Sequence, residues 1–386
     1  MRRVSLLFGG DFSPHGSFEL IAKNQGSRLF GDACQIIEQA DFSLLNLECP
    51  HTTSMRPTRK AGPNLKADMD CLNAVASAGF NAVGLANNHI MDFGKEGLFD
   101  TLEACNHYGI QYFGAGGSES EACEPLQFNC NGIKIAVIGV AEREFGEAEQ
   151  THAGFAVVEA LETYQKVLFE KTRNDIVIIF LHGGNEFFPY PRPRYRKLCR
   201  FLVDAGADAV IGHHPHVPGA YEWYRDAPII YSLGNLITEH PLPPEDWNLG
   251  YFATLDFSLN GSKTCTLSIT PYRQTVEDGG VRLLKGEQRA GFLADLEGKR
   301  RCLEDEARWI QAWKEYCREN ADVYLLRQYA PGLRRGFRVL SKVPGLARAV
   351  LWGSNRYDRL NMLRCEAHRD VLEEVMKDLV EIKTQP

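Results

Sequence analysis

The eleven cysteines include no C-x-x-C pair, and their number is odd. Zinc ribbons and thioredoxin-like redox motifs therefore lose their usual signature. A reduced set of mostly buried thiols is the simplest expectation. Long apolar runs are missing too, since none approaches the ~20 residues of a membrane-spanning helix. Met1-Arg2-Arg3 leads into only a short apolar stretch, Val4 to Phe8, before Gly9-Gly10-Asp11. A secretory signal needs an apolar segment of ~7–15 residues and then a small-residue cleavage site. The expectation is a cytoplasmic protein. Nor is there an excess of basic charge. The formal net charge of −7 gives no footing for general nucleic-acid binding.

What is present suits a soluble, core-forming chain. Hydrophobic residues make up 44% and charged residues 24% of the 386 positions. That composition excludes disorder, collagen and small disulfide scaffolds. The length suggests two or three domains, or one large domain with an appendage, at ~100–200 residues each.

One unit returns along the first two-thirds: an apolar run ends abruptly in glycine and polar residues. Val4–Phe8 ends in Gly-Gly-Asp11, Phe42–Leu45 in Asn46-Leu47-Glu48, and Phe80–Ala86 in Asn87-Asn88-His89. Ile135–Val140 ends in a cluster holding Glu142, Arg143 and Glu144, and Ile176–Leu181 in His182-Gly183-Gly184-Asn185-Glu186. Ala209–Ile211 ends in Gly212-His213-His214-Pro215-His216, and Ile229–Leu233 in Gly234-Asn235. Continuous apolar runs of this kind read as strands buried on both faces. Helical patterns lie between them at Ala33–Ala40, Met69–Ala78, Gly97–Tyr108, Val158–Lys171 and Tyr195–Ala205. Strands alternating with helices predict an α/β sheet. The polar clusters are then expected to meet where such sheets bind ligands, beyond the carboxyl ends of their strands.

From about Leu249 the pattern changes. Phe252–Phe257 and Cys265–Ile269 alternate around Asn260-Gly261, which predicts a hairpin. Residues 1–285 are expected to form the main domain, and residues 286–386 a helical C-terminal extension. Val371, Leu372, Val375, Leu379 and Ile382 share one helical face. The segment Leu333–Trp352 is basic and amphipathic, but Pro344 interrupts any continuous helix. Peripheral membrane contact through this segment is the alternative to packing on the main domain, and packing is the expectation.

The strand-end clusters hold residues of one chemical kind: Asp11, His15, Glu48, Asn88, His89, His182, His213, His214 and His216. Carboxylates, imidazoles and an amide oxygen are donors for Mn, Fe or Zn. Two such ions ~3.5–4 Å apart clamp both oxygens of an in-line displacement and supply hydroxide at neutral pH. Glu48 can bridge a pair, Asn88 can offer a neutral oxygen, and His214 and His216 can place one imidazole on each ion. Alone, His182 would read as a structural histidine, and Asn88 as a helix cap.

The order GD…NLE…NNHxxDxG…HGGxE…GHHPHV…YSLGN resembles the capsule-biosynthesis protein CapA (poly-γ-glutamate synthesis) family, a branch of the calcineurin-like metallophosphoesterases. The resemblance covers about Val4 to Phe257. It implies an αββα sandwich of two mixed sheets, with two divalent metal ions. Asp11, Glu48, Asn88, His182, His214 and His216 match the metal ligands. His89 matches the histidine that assists the leaving group, with Asp92 holding it. Ser13 stands where the superfamily has a histidine, and His15 lies nearby. Glu48 replaces an aspartate, and His213 leaves the ligand register open by one residue.

Arginine forks suit phosphate or carboxylate, so Arg59 and Arg192 are expected at the substrate, with Glu186 and Asn235 lining the crevice. The function implied is a metal-dependent hydrolase acting on a phosphorylated or polyanionic small molecule or polymer, linked to capsule, poly-γ-glutamate or polysaccharide synthesis. The alternative is a non-catalytic accessory protein that holds an anionic polymer.

Overall fold

The protein is described by a computed structural model covering residues 2–241, 243–244, 246–328 and 356–384. The segment Leu333–Trp352 lies outside the described residues. Two mixed sheets face each other. The first joins β1 (Arg2–Ser13), β2 (Phe42–Leu47), β3 (Ala82–Gly84) and β4 (Gln111–Phe113), all parallel. β13 (Asn235–Thr238) also pairs with β1 in parallel. On the other flank of β1 run the antiparallel β14 (Leu249–Asn260), β15 (Ser262–Thr275) and β16 (Gly280–Leu283). β14 and β15 are the hairpin that Asn260-Gly261 predicts.

The second sheet has the order β11 (Tyr221–Tyr224), β12 (Ala227–Ile230), β10 (Ala209–His213), β9 (Ile176–His182), β7 (Ile133–Ala141), β6 (Leu126–Cys130). Its four inner strands are parallel. β5 (Ala115–Gly116) and β8 (Gly154–Phe155) form a separate small pair.

Side chains alternate across each strand, so every central strand feeds two cores. Val4, Leu6 and Phe8 of β1 meet Ile176, Ile178 and Phe180 of β9 between the sheets. Leu7 points the other way, onto α1 (Ser17–Gln25), α3 (Leu72–Ser77) and α4 (Gly94–Tyr108), close to the short α2 (Cys34–Gln39). Val177, Ile179 and Leu181 pack outward against α6 (Ala160–Lys171) and α7 (Pro193–Asp204), where Ala122 of α5 (Glu119–Ala122) joins them. These layers are the αββα sandwich. Burial on both faces explains why the strands read as continuous apolar runs. Cys49, Cys71, Cys105, Cys199, Cys302, Cys317 and Cys365 are buried as expected.

α7 shows how local sequence sets an element. Pro193 opens it, where a missing N–H costs nothing, and Tyr195, Cys199, Leu202 and Val203 form its buried stripe. Among the described residues, four helices follow the sheets: α8 (Gly286–Glu304), α9 (Glu306–Gln328), α10 (Arg356–Arg364) and α11 (Glu366–Thr384). Phe292 and Leu296 of α8 enter the core between the sheets. Trp313, Cys317 and Tyr324 of α9 pack with Met362, Val371, Val375 and Phe188 in a core of their own. Among the described residues, no helix is long and apolar enough to cross a membrane.

Candidate metal centre and cleft

β1 carries Asp11 between two neighbours, Asn46 of β2 and Asn235 of β13. A side chain at Gly10 would collide with the carbonyl oxygen of Gly234, so the first motif needs glycine to bring β1 this close. Asp11 N donates to that carbonyl at 3.1 Å. Asn46 Nδ2 donates to Asp11 Oδ1 at 2.8 Å and lies 3.2 Å from His182 Nδ1. His213 Nδ1 sits 2.9 Å from the same carboxylate oxygen, and the His214 backbone N–H donates to the other oxygen at 3.2 Å. Burial alone would raise the Asp11 pKa, but the hydrogen bond and charge of His213 hold it below the usual value.

Glu48 is 1% exposed, and neither of its carboxylate oxygens has a hydrogen-bond partner. Oε1 lies 3.4 Å from His182 Nε2 and 3.5 Å from His216 Nε2. His182 Nε2 is in turn 3.0 Å from Asn88 Oδ1 and 3.1 Å from His214 Nδ1. Burial holds the His182 imidazole well below its ordinary pKa and His214 at about 4, so both rings are neutral at pH 7. Neutral imidazole is the form that ligates a metal. Burial beside Asp11 pushes Glu48 well above the carboxylate range. A buried carboxylate without a hydrogen-bond partner, set among imidazole nitrogens, is an arrangement that a divalent cation satisfies. Among the described residues, Glu48, His214 and His216 have ligand atoms within 4.8 Å of one another. The donor set therefore fits a metal ion. His214 and His216 hold this geometry at φ 97° and 61°, conformations that side chains rarely adopt.

His89 stands at the rim. Asp92, fully buried, lies 2.7 Å from His89 Nδ1 and accepts from the backbone N–H of Leu65 at 2.6 Å. Lys60 pairs with Asp92, and its Nζ is 3.2 Å from the same ring nitrogen. Burial and then the Lys60 charge lower the His89 pKa, against the pull of Asp92.

A cleft of about 470 Å³ opens beside these residues. Lys60, Asn88, His89, Glu144, Glu186 and His214 line its inner end. Burial pushes Glu144 up to about 7, with Lys60 opposing and Glu186 adding to the rise.

Several expected site residues lie elsewhere. Arg59 is exposed and outside the cleft, because adjacent side chains of an extended segment diverge and Lys60 takes the inner position. Arg192 is buried, and its fork is occupied by Glu142 and Asp370, so it binds α11 to the main domain rather than substrate. Asn235 is fully buried beneath the histidines and outside the cleft. Its Oδ1 lies 2.9 Å from His216 Nδ1, and its Nδ2 donates to the carbonyls of His216 and Trp247. His15 does not stand in for the missing histidine. Its ring nitrogens face Ser13 and the carbonyl of Glu239.

The sequence reading missed Lys60 and Glu144 as cleft residues, although Glu144 stood in one of the polar strand-end clusters. It also missed a whole wall, supplied by α9, α10 and α11 through Tyr316, Glu319, Tyr324, Asp358, Asn361 and His368.

Comparison with known proteins addresses ancestry. The family described as bacterial capsule synthesis protein PGA_cap matches residues 5–240, more than half of the chain. The chain belongs to that family. It is 29% identical over 263 residues to the capsule biosynthesis protein CapA of Bacillus anthracis, covering 66% of this chain and 63% of that protein. It is 30% identical over 240 residues to the PGA biosynthesis protein CapA of Bacillus subtilis (strain 168), covering 61% and 63%. A probable polyglutamine synthesis accessory protein of Mycobacterium tuberculosis (strain CDC 1551 / Oshkosh) is 29% identical over 226 residues, covering 55% and 60%. The matched segment thus spans less than two thirds of each relative. Among solved structures, a 5'-nucleotidase precursor from Thermus thermophilus aligns with a TM-score of 0.43 at 14% identity, over 72% of this chain and 56% of that one. At that level the likeness says nothing about activity.

Proposed function

We propose that this member of the capsule synthesis family is a metal-dependent hydrolase that binds two divalent cations. Asp11, Glu48, Asn88, His182, His214 and His216 would hold them. The observation that carries this reading is Glu48, whose two oxygens are buried without a hydrogen-bond partner and whose Oε1 faces His182 and His216. Such cations supply Lewis acidity and lower the pKa of water toward neutrality. The chain's own residues do the rest. Asn46 and His213 fix the Asp11 carboxylate. Asp92 holds the His89 ring by Nδ1, which leaves Nε2 for proton exchange with the leaving oxygen. Lys60 steadies the rim in the part first expected of Arg59 or Arg192.

The anionic scissile group belongs at this inner end. The capsule and poly-γ-glutamate setting of the relatives extends to this chain within the proposal, as does a cytoplasmic location. Manganese, iron and zinc all suit oxygen–nitrogen donors.

Metal stoichiometry on the purified protein, paired with hydrolysis of an aryl phosphate with and without Mn²⁺, tests the reading. Near-two equivalents and turnover that vanishes in His214→Ala support it. One equivalent or none, with no turnover under any ion, favours the accessory function borne in the name of the mycobacterial relative.

A further inference from the structure

A cavity larger than the cleft lies at the opposite edge of the sheets from the metal centre. β9 and β10 carry His182 and His213 at their carboxyl ends, and Asp175 and Asp208 stand just before their amino ends. The seven residues of β9, at ~3.3 Å each, set those ends roughly 20 Å apart. Here the end of α7, the turn between β11 and β12, and the start of β15 enclose about 800 Å³. Val203, Ala227 and Phe257 give the cavity an apolar floor, and Trp223 lines it while 43% exposed. A tryptophan left this open offers a ligand a broad, flat apolar surface.

The polar side of the cavity holds an imbalance of charge. Lys171 of α6 and Lys263 of β15 both pair with the single carboxylate of Asp208, Lys171 at 2.5 Å from Oδ2 and Lys263 at Oδ1. Asp208 is 9% exposed, and its Oδ2 also accepts from the backbone N–H of Val177 at 2.8 Å. Both ammonium groups donate in addition to the carbonyl of Asp175, at 3.4 and 3.3 Å. The Asp175 carboxylate is turned away, to Arg2 and the backbone N–H of Lys134. At the mouth Arg225 is paired with Asp204, and Asp226 is exposed on the turn, where water screens its charge. An ammonium group carries three N–H donors, and each lysine spends two of them on Asp208 and Asp175. One donor on each lysine and one unbalanced positive charge remain. Burial lowers the Lys171 pKa, Asp208 opposes, and the Lys263 ammonium adds to the fall. Two like charges held side by side repel, and an anion set between them removes the repulsion.

We propose that this cavity binds a small aromatic carboxylate. Its carboxylate bridges Lys171 and Lys263, and its ring lies against Trp223 and the apolar floor. One unbalanced charge suits a monoanion better than a phosphate monoester, which carries close to two charges at pH 7. Lys263 belongs to the first sheet, whereas Lys171 and Trp223 belong to the second sheet and its helices. The ligand therefore spans both layers and stabilises the fold. The site stands apart from the metal centre and does not rest on the hydrolase reading.

Calorimetric titration of the full chain compares phenylacetate with acetate, benzyl alcohol and 2-phenylethylammonium. Phenylacetate should bind at least about tenfold more tightly than each of the other three, and should raise Tm. Lys263→Gln leaves Lys171 and Asp208 as a balanced pair, and Trp223→Ala removes a half-exposed ring, with thermal unfolding checking both folds. Each variant should weaken phenylacetate by about tenfold. Absent binding, or equal binding of phenylacetate and either acetate or benzyl alcohol, overturns the proposal. So does unchanged affinity in either folded variant, which would place the probe elsewhere on the protein.

Discussion

At the inner end of the cleft, the donors come from strand ends of two sheets, and all of them lie within the family-matched residues 5–240. At the outer end, the wall comes from α9, α10 and α11, all beyond that match. The first set is cross-braced by hydrogen bonds between distant strands, such as Asn46 to Asp11 and His213 to Asp11. The second is held on by ion pairs. Arg192 joins Glu142 to Asp370, Arg194 joins Asp370 to Glu373, and Arg364 meets Glu147. Under the hydrolase proposal, the metal-holding residues and the opposite wall of the cleft come from different parts of the chain.

The sharpest way to break this arrangement is at Arg192. Replacing it with methionine leaves the buried Glu142 carboxylate without its cation and Asp370 with Arg194 alone. Urea unfolding should show a loss of about 3–5 kcal/mol. A loss near zero would mean that apolar packing alone fastens the extension.

Next in size is Glu222, which accepts from Arg196 and Arg200 of α7 and from Tyr231. Arg196 also donates to the carbonyl of Leu303 at 2.9 Å, so this cluster anchors the end of α8. Burial alone would raise the Glu222 pKa, but the hydrogen bonds from Arg196, Arg200 and Tyr231 bring it down to about 2. A depressed carboxylate stabilises fully above its unfolded value, and its contribution fades as pH falls toward the folded one. Wild-type stability should therefore drop by roughly 3 kcal/mol between pH 4.5 and pH 2 relative to Glu222→Gln. Parallel pH profiles for the two proteins would discount the cluster.

A smaller effect probes the inner end alone. Asn46→Ala removes the amide that orients both Asp11 and His182. Mn²⁺ affinity should fall by about 10–100-fold, with the outer wall unaffected. The smallest expected change is at Arg59, exposed and outside the cleft. Arg59→Ala should alter stability by less than about 0.5 kcal/mol and leave aryl phosphate turnover unchanged.

The sequence made the inner end legible because parallel strands buried on both faces end abruptly in polar residues. Asp11, Glu48, Asn88, His182, His214 and His216 could be read from those endings, and the structure brings them together. The arginines were misread for a physical reason. Whether a charged loop residue faces solvent, substrate or a buried partner depends on groups far along the chain. The partners of Arg192 lie 50 and 178 positions away. His15 misled through proximity, since two residues of spacing do not reveal that its ring is held by Ser13 and Glu239. The outer wall was invisible for a related reason. Periodicity marks which helix face is apolar, but Tyr316, Glu319 and Asn361 acquire meaning only from the cleft against which their helices dock.

Gly10 and Gly234 carry a consequence for how this protein can change over generations. A β-carbon at Gly10 would strike the carbonyl of Gly234, and one at Gly234 would come within 2.6 Å of the carbonyl of Leu249. The segments that follow these glycines bear Asp11 and Asn235, which are direct partners across the ladder. Two short motifs at opposite ends of the family-matched region therefore behave as one heritable unit. A methyl group at Gly10 forces the Gly234 segment to move, and one at Gly234 forces Leu249 to move, so a change at either glycine is felt by the neighbouring half of the site.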